Sequence, residues 1–335
     1  MRILLALPEP LPRRFLSLAA RDRLGAVGAV GAVDVHPTPE DHRSPAAAAL
    51  LAEAEVLLTG WGTDLLDEDL LAAAPALRAV VHTAGSVRPV VTRGALERGV
   101  LVSSQARLNA LPVAEYALAT ILLSLKGVLL AHRRYREARG HVDARDLLAD
   151  HGVHARRVGV VGASVVGRRL LELLRPFDVE VVLADPTLGA QDARALGAEL
   201  LDLDELLRTS DVVTLHAPLL PSTRGMLDAR RLGLLRDGAV LVNTARGGLV
   251  DEAALVRELV AGRLRAVLDV TEPEVPDPAS PLWDLPDVLL TPHVAGALGS
   301  ELLRLGDGAV EEVERLAAGL PLLRPVTAQT YDLLA

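Results

Sequence analysis

The sequence predicts an α/β fold with parallel sheets, divided into two domains. Short apolar runs alternate with amphipathic or Ala-rich segments along nearly the whole chain, the pattern of βαβ units. The length, 335 residues, exceeds one typical domain. Half of the residues are hydrophobic and 24% are charged, which supplies large cores and speaks against disorder.

In chain order, the candidate strands of the first domain are Ile3–Leu7, Ala32–His36, Val56–Thr59, Leu77–Thr83 and Val100–Ser103, with helical stretches Leu65–Ala74 and Val87–Arg98 among them. The repeat GAVGAVGAV, from Gly25 to Val33, reads as a flexible turn entering the second strand rather than as a phosphate loop, because no helix start follows it. Pro37–Pro45 reads as a surface loop. A long helix is expected after Asn109, where Val113, Ala117, Leu118, Ile121, Leu122 and Leu125 recur at helical spacing. Arg133–Asp150 is polar and reads as an exposed or inter-subunit arm. A second α/β block follows, from about Arg156 to Thr291, and a last helix, Ala297–Ala318, has room to return to the first domain.

The second block opens on RRVGVVGASVVGRRLLELLRPFDVEVVLADP. Its first strand, Val158–Val161, meets Gly162. A helix carrying Leu170, Leu171, Leu173 and Leu174 begins near Gly167, and a second strand, Val179–Leu183, leads to Asp185. Strand, tight turn, helix, strand and an acid about 20 residues past the turn is the order of a dinucleotide-binding unit. Gly162 permits the sharp exit, Gly167 lets the helix approach the sheet, and the helix N-terminus offers unpaired N–H groups to a pyrophosphate. Asp185 would accept hydrogen bonds from the ribose hydroxyls and repel a 2′-phosphate, which favours NAD over NADP. Ser164 stands where the G-x-G-x-x-G fingerprint has its middle glycine, so the turn alone also fits an ordinary βα connection.

Composition narrows the function. Net charge is −9 with acids and arginines interleaved, so no nucleic-acid face is expected. Cysteine is absent, which excludes disulfides and thiolate metal sites. His151 and His154 lack a third ligand at metal spacing and read as solvated loop residues. Lys126 is the only lysine and lies in an apolar stretch, which argues against a P-loop or a pyridoxal Schiff base. The apolar run Tyr116–Leu125 is interrupted by Thr120 and Ser124, short of a membrane span. MRILLALPEP is too short for a secretory signal and reads as a first buried strand, so a cytoplasmic location is expected.

Three later stretches carry candidate chemistry: VVTLHAPLLPSTRGMLD with His216, Pro218 and Thr223; GAVLVNTARGGLVDEAAL with Thr244, Ala245 and Arg246; and LDVTEPEVPDPASPLWDLPDVLLTPHVAG with Asp269, Glu272, Glu274, Trp283 and His293. Ligands of open α/β sheets bind at the carboxyl ends of strands, where an Arg, an acid and a His could converge on one small polar substrate.

With these stretches in view, the chain resembles the D-isomer-specific 2-hydroxyacid dehydrogenases. The motifs are GASVVG at Gly162–Gly167, LHAPL at Leu215–Leu219, NTARGGLVD at Asn243–Asp251, LDV at Leu268–Val270 and TPHVAG at Thr291–Gly296. NALPVAEY, Asn109–Tyr116, looks like the segment opening the family's long interdomain helix, and HTAGSVR, His82–Arg88, like its substrate-carboxylate loop. The resemblance implies two flavodoxin- or Rossmann-like domains with an interdomain cleft that closes over NAD and a small 2-hydroxy or 2-oxo acid. It places a substrate-binding domain at 1–104 plus 298–335 and an NAD-binding domain at 105–297. It also implies a homodimer through the Asn109–Asp150 region, while the charge and the short apolar runs noted above point to neither nucleic acid nor membrane as partner.

The family's catalytic triad would be carried by Arg246, Glu274 and His293. Arg246 would clamp the carboxylate and 2-oxygen, a task for a planar multi-donor cation. His293 would move the proton of the 2-hydroxyl, and Glu274 would orient its ring and favour its protonated form. Glu272, two residues earlier, remains the other candidate partner for His293. Backbone N–H groups of Ala84, Gly85 and Ser86 would hold the substrate carboxylate. Cofactor contacts would come from Ala163, Ser164, Val165, Val166, Gly167, Asp185, His216, Ala217, Pro218, Thr223, Thr244, Ala245, Asp269, His293 and Gly296. Ser164 is small enough to leave room for the pyrophosphate, and its hydroxyl could donate to it. Two other readings stay open, a nucleotide-sensing binding protein of the same fold and an enzyme oxidising formate or a phosphonate-type substrate.

Overall fold

The computed structural model describes residues 1–7, 10–27, 29–32 and 45–331, so most of the expected Pro37–Pro45 loop lies outside the described residues. The strands are β1 (Arg2–Ala6), β2 (Ala29–Ala32), β3 (Val56–Thr59), β4 (Ala79–His82), β5 (Leu101–Ser104), β6 (Arg156–Val161), β7 (Val179–Ala184), β8 (Glu199–Leu200), β9 (Val212–Leu215), β10 (Val240–Asn243), β11 (Arg265–Leu268), β12 (Val288–Leu290) and β13 (Pro325–Val326). They form two sheets, and the chain divides into two compact units, Met1–Ala110 with Ala297–Ala335 and Leu111–Gly296.

The first unit carries the order β13-β5-β4-β3-β1-β2, parallel except for β13, which runs antiparallel to β5. Its five parallel strands have the flavodoxin-like order 2-1-3-4-5. Both faces of the sheet are covered, as alternation along the strands requires. Ile3, Leu5, Val56 and Leu58 pack with Phe15, Leu305 and Val310, while Leu4, Leu57 and Val80 pack with Leu51, Leu71 and Val87. The helix Glu301–Ala317 approaches the helix Leu11–Phe15 so closely that a Cβ on Gly306 would stand 1.8 Å from the Phe15 carbonyl oxygen.

Sequence reading missed several boundaries here. Among the described residues of the GAVGAVGAV repeat, where the sequence predicts a turn, Gly25–Val27 belong to the helix Leu18–Val27 and Ala29–Ala32 to β2. The second strand starts at Ala29 because the ladder to β1 pairs Arg2 with Ala29 and Ile3 with Val30, and Val33–His36 lie outside the described residues. Only Glu68–Ala73 and Arg93–Glu97 are helical within the expected Leu65–Ala74 and Val87–Arg98 segments, because Asp67 and Thr92 cap their first turns.

The second unit has seven parallel strands in the order β12-β11-β10-β9-β6-β7-β8. Counted within the unit this is the doubly wound order 3-2-1-4-5-6 with one added strand, and its switch point lies between β6 and β9. Val158, Val160, Leu170, Leu174 and Leu183 pack with Ala117 and Ile121 of the long helix on one side. Val161, Val213, Leu241 and Leu255 lie among the apolar residues of the other. The long helix, Ala106–Leu125, begins before Asn109 and holds Pro112 within it. By length and composition it is the one helix among the described residues that could cross a membrane, and half of its most apolar window is buried in protein. The polar stretch after it forms the helices Val128–Ala138 and Ala144–Leu147, neither of which buries a residue.

Candidate active site

The turn after β6 is built by contacts that exclude a side chain. Gly162 sits at φ 95°, and a Cβ there would lie 2.7 Å from Ala217 N and 2.9 Å from the His216 carbonyl carbon. A Cβ on Gly167 would lie 2.1 Å from the Gly162 carbonyl oxygen. Both glycines are therefore demanded by close backbone approach at the switch point. Ser164 is the N-cap of the helix Val165–Leu174, its Oγ accepting from Gly167 N at 3.3 Å. The hydroxyl hydrogen stays available to donate outward. Val165, at the first helical position, is exposed, and Val166 is partly buried beside it.

Asp185 directly follows β7. It accepts from Ala163 N at 2.7 Å through one oxygen, and from Thr187 N at 2.8 Å and Thr187 Oγ1 at 2.6 Å through the other. Burial opposes its charge, but the bonds from Thr187 and Ala163, with Arg168 nearby, outweigh it and hold the carboxyl below its ordinary pKa. His216 is buried, with Nε2 2.9 Å from Thr214 Oγ1, and burial pushes its pKa down to about 3. The ring is thus neutral and turned into the core, which leaves only main chain at His216 and Ala217 to meet a ligand. Thr223 Oγ1 donates to the Pro218 carbonyl at 2.6 Å and shapes that loop. Thr244, at the end of β10, is buried and its Oγ1 has no hydrogen-bond partner. Among the described residues no group of three or more His, Asp or Glu is placed to hold a metal ion.

Arg246, Glu274 and His293 come together in this same unit. Glu274 Oε1 lies 2.5 Å from His293 Nδ1, and both side chains are exposed. Arg246 is partly buried and donates from Nη1 to the Ala245 carbonyl at 2.6 Å. Burial lowers its pKa, with the charge of Glu274 opposing in part, and a guanidinium remains charged in such a place. Glu272 is engaged elsewhere, with Arg224 Nη1 at 2.8 and 2.7 Å from its two oxygens. Thr271 Oγ1 donates to the carbonyls of Pro273 and Glu274 at 2.8 and 3.0 Å and closes the turn that presents Glu274.

His293 adopts φ 54°, a left-handed conformation costly for a residue with a Cβ. Asp269 holds it there. Its carboxylate, 1% exposed, accepts from Thr291 Oγ1 at 2.6 Å, Val294 N at 2.8 Å and Ala295 N at 2.8 Å. The Asp269 carbonyl accepts the His293 N–H at 3.0 Å. Tyr116 OH lies 2.8 Å from Thr291 Oγ1 and extends this network to the long helix. Asp269 thus spends its carboxylate on the loop that presents His293, whatever its main chain gives a cofactor. Gly296 ends the same loop.

In the first unit, the loop after β4 turns on its carbonyls. Ala84 O accepts from Gln105 N at 3.0 Å, and Gly85 O from Ser104 Oγ. The N–H groups of Ala84, Gly85 and Ser86 find no acceptor among the described residues, so three consecutive donors remain for an anion. A Cβ on Gly85 would lie 3.3 Å from Asn109 Nδ2. His82 below the loop is buried, bonded to Thr59 Oγ1 at 3.0 Å, and its pKa is pushed down by burial to about 4.

Sequence reasoning gave no role to Tyr116, Thr291, Thr271, Arg224 or Glu252. TPHVAG contained Thr291, but partners 22 and 175 positions away are visible only after folding. His151 is likewise not a solvated loop residue: it is partly buried, and its Nε2 lies 3.1 Å from Arg265 Nη1.

Residues 118–295 match the family described as D-isomer specific 2-hydroxyacid dehydrogenase, NAD binding domain. The chain is 36% identical over 272 residues to a D-3-phosphoglycerate dehydrogenase of Mycobacterium bovis, covering 81% of this chain and 51% of that protein. It thus spans about half the length of the curated phosphoglycerate dehydrogenases that it matches. A glyoxylate reductase of Aeropyrum pernix is 33% identical over 272 residues, covering 80% of this chain and 81% of the relative. Among solved structures, a Thermus thermophilus protein superposes with a TM-score of 0.77 at 30% identity, over 98% of this chain and all of that one.

Proposed function

The chain belongs to the D-isomer specific 2-hydroxyacid dehydrogenase family, and on that premise we propose that it interconverts a small D-2-hydroxy acid and its 2-oxo acid, with NAD as cofactor and His293 as acid and base. The observation that carries the reading is the grouping of Arg246, Glu274 and His293 in the unit that also holds the glycine cradle. Strands β10 to β12 deliver all three at their carboxyl ends, where ligands of doubly wound sheets bind.

The residues present fit the cofactor. Gly162 and Gly167 keep the first turn free of side chains, the Ser164 hydroxyl faces the helix start, and the Thr244 hydroxyl is buried without a partner. Main chain from Ala163 to Gly167 would hold the pyrophosphate and Asp185 the adenosine ribose. A bound nicotinamide would supply the hydride acceptor and donor for C2 of the substrate. Arg246 binds the carboxylate and the 2-oxygen as a fixed multi-donor cation. Glu274 occupies Nδ1 of His293, which leaves Nε2 to accept the hydroxyl proton or to give it back. The carboxylate of Glu274 compensates the positive charge that this transfer places on the ring. We assign the unpaired N–H groups of Ala84, Gly85 and Ser86 to the substrate carboxylate.

We also propose a homodimer formed through the helix Val128–Ala138, which buries none of its residues within the chain although Val128, Leu129 and Tyr135 are large and apolar. Light scattering giving a monomer at all concentrations would reject it.

The reading is tested by the decay of NADH absorbance with a panel of 2-oxo acids, including glyoxylate, hydroxypyruvate, its phosphorylated form and branched acids. Turnover of at least one, with none for formate or a phosphonate, is expected. NADH binding without turnover of any acid would reject catalysis and leave a nucleotide-binding protein.

A further inference from the structure

Glu272 takes no part in the reaction proposed above, yet although exposed it is held by several contacts. Arg224 Nη1 donates to both of its carboxylate oxygens, and its own N–H donates to Glu252 Oε2 at 3.1 Å. Gly247 and Gly248, the two residues after Arg246, lie flat against it. A Cβ on Gly247 would stand 2.1 Å from the Thr271 carbonyl carbon and 2.5 Å from Glu272 N. One on Gly248 would stand 2.5 Å from Glu272 Oε2 and 3.0 Å from Arg224 Nη1. Two stretches remote from it in sequence, at Arg224 and at Gly247–Glu252, therefore hold one residue by its side chain, by its N–H and by close backbone contact.

We infer that Arg224 and Glu272 are positioning residues whose pair pins the Thr271–Glu274 turn against the Arg246–Gly248 segment and so fixes Glu274 on Nδ1 of His293. Stability does not explain the pair. Its side chains are 56% and 48% exposed, and ion pairs so open to water add little to folding. Geometry does explain it. Thr271 closes the turn on the far side of Glu272, and Glu274 follows within one tight bend. The charges agree as well. Glu252 and Glu272 share this edge, and burial together with the charge of Glu272 raises the Glu252 carboxyl above its ordinary pKa. Arg224 is the cation that Glu272 contacts there, while Arg246 faces Glu274. Without either partner the turn would lose the tie that holds it against the Arg246–Gly248 segment.

The test reads the neutral tautomer of the His293 ring by ¹⁵N NMR at mildly alkaline pH, assigned by comparison with His293→Gln. A carboxylate on Nδ1 selects the Nδ1–H form. Arg224→Ala and Glu272→Ala are each expected to shift His293 toward the Nε2–H form and to lower kcat about tenfold, the order set by small misplacements of a catalytic group. KM for NADH and the melting temperature should stay near wild type. The two substitutions remove opposite charges, so an effect of the same sign from both marks positioning, and the swap Arg224→Glu with Glu272→Arg should restore it. Retention of the Nδ1–H form in both single variants, or opposite effects from the two, would overturn the inference. If either alanine variant melts early, Arg224→Lys and Glu272→Gln decide, and a tautomer that changes only as the protein unfolds counts against the proposal. The inference rests on the dehydrogenase reading only for its kinetic part. A tautomer that responds in a protein turning over no 2-oxo acid would uphold the positioning and reject the enzyme.

Discussion

Replacing Asp269 by Asn should disable the enzyme while leaving it folded. The carboxylate is buried and takes three hydrogen bonds, from Thr291 Oγ1, Val294 N and Ala295 N. An amide keeps one oxygen, which can retain Thr291 and Val294. Its NH2 group must then face the Ala295 N–H, two donors toward each other. One bond to a charged acceptor is lost, about 1.5–3 kcal/mol, with a repulsion added. The left-handed backbone at His293 stores about 1–3 kcal/mol that this network sustains. The two quantities are of equal size, so the loop can relax into extended backbone and carry His293 away from Glu274. Positioned proton transfer is worth about 10²–10⁴-fold, and we expect kcat/KM to fall by about 10²–10³-fold. NADH oxidation with the preferred 2-oxo acid measures this, with NADH binding followed by fluorescence and melting by calorimetry. A variant retaining kcat/KM within a few-fold of wild type would refute the argument that Asp269 acts by holding the His293 loop.

Gly167→Ala places a Cβ 2.1 Å from the Gly162 carbonyl oxygen, so it should abolish NADH binding and destabilise by about 1–3 kcal/mol or more, readable by titration and melting. Asp185→Ala should raise the ratio of NADPH to NADH efficiency at least tenfold, and an unchanged ratio would remove its assignment to the ribose. His82 and His216 are held neutral by burial, with pKa values near 4 and 3 against an ordinary 6.5. The unfolded chain therefore binds more protons below pH about 6.5, and the melting temperature should drop steadily from there toward pH about 4. His216→Gln should flatten that slope, and an equally steep slope in the variant would contradict it.

Periodic and locally coded features were the legible ones. The βαβ unit reads directly, because Gly167 and Asp185 each answer to a contact within one supersecondary element, while Gly162 answers to its own positive φ and also to His216 and Ala217 beyond that element. Val56–Thr59 was placed to the residue, since a buried parallel strand is a plain apolar run. The β2 edge strand was displaced because Gly, Ala and Val in a repeating triplet carry neither period, and its ladder to β1 alone decides the start. At the site, the family spacing favours Glu274, but two like acids two residues apart leave Glu272 open as the alternative. Arg224, 48 positions away from Glu272, distinguishes them. Asp269 is legible as a site residue, but the hold of its carboxylate on Thr291, Val294 and Ala295 needs the fold to be seen.

The claim that hydride passes between the nicotinamide and C2 under the control of His293 is tested most directly with NADH deuterated at C4. With the turned-over 2-oxo acid, wild type should place the deuterium at C2 of a product of D configuration, and His293→Ala should form that product at least a hundredfold more slowly while still binding NADH. A product without the label, a product of L configuration, or an undiminished rate in the His293 variant would contradict the account.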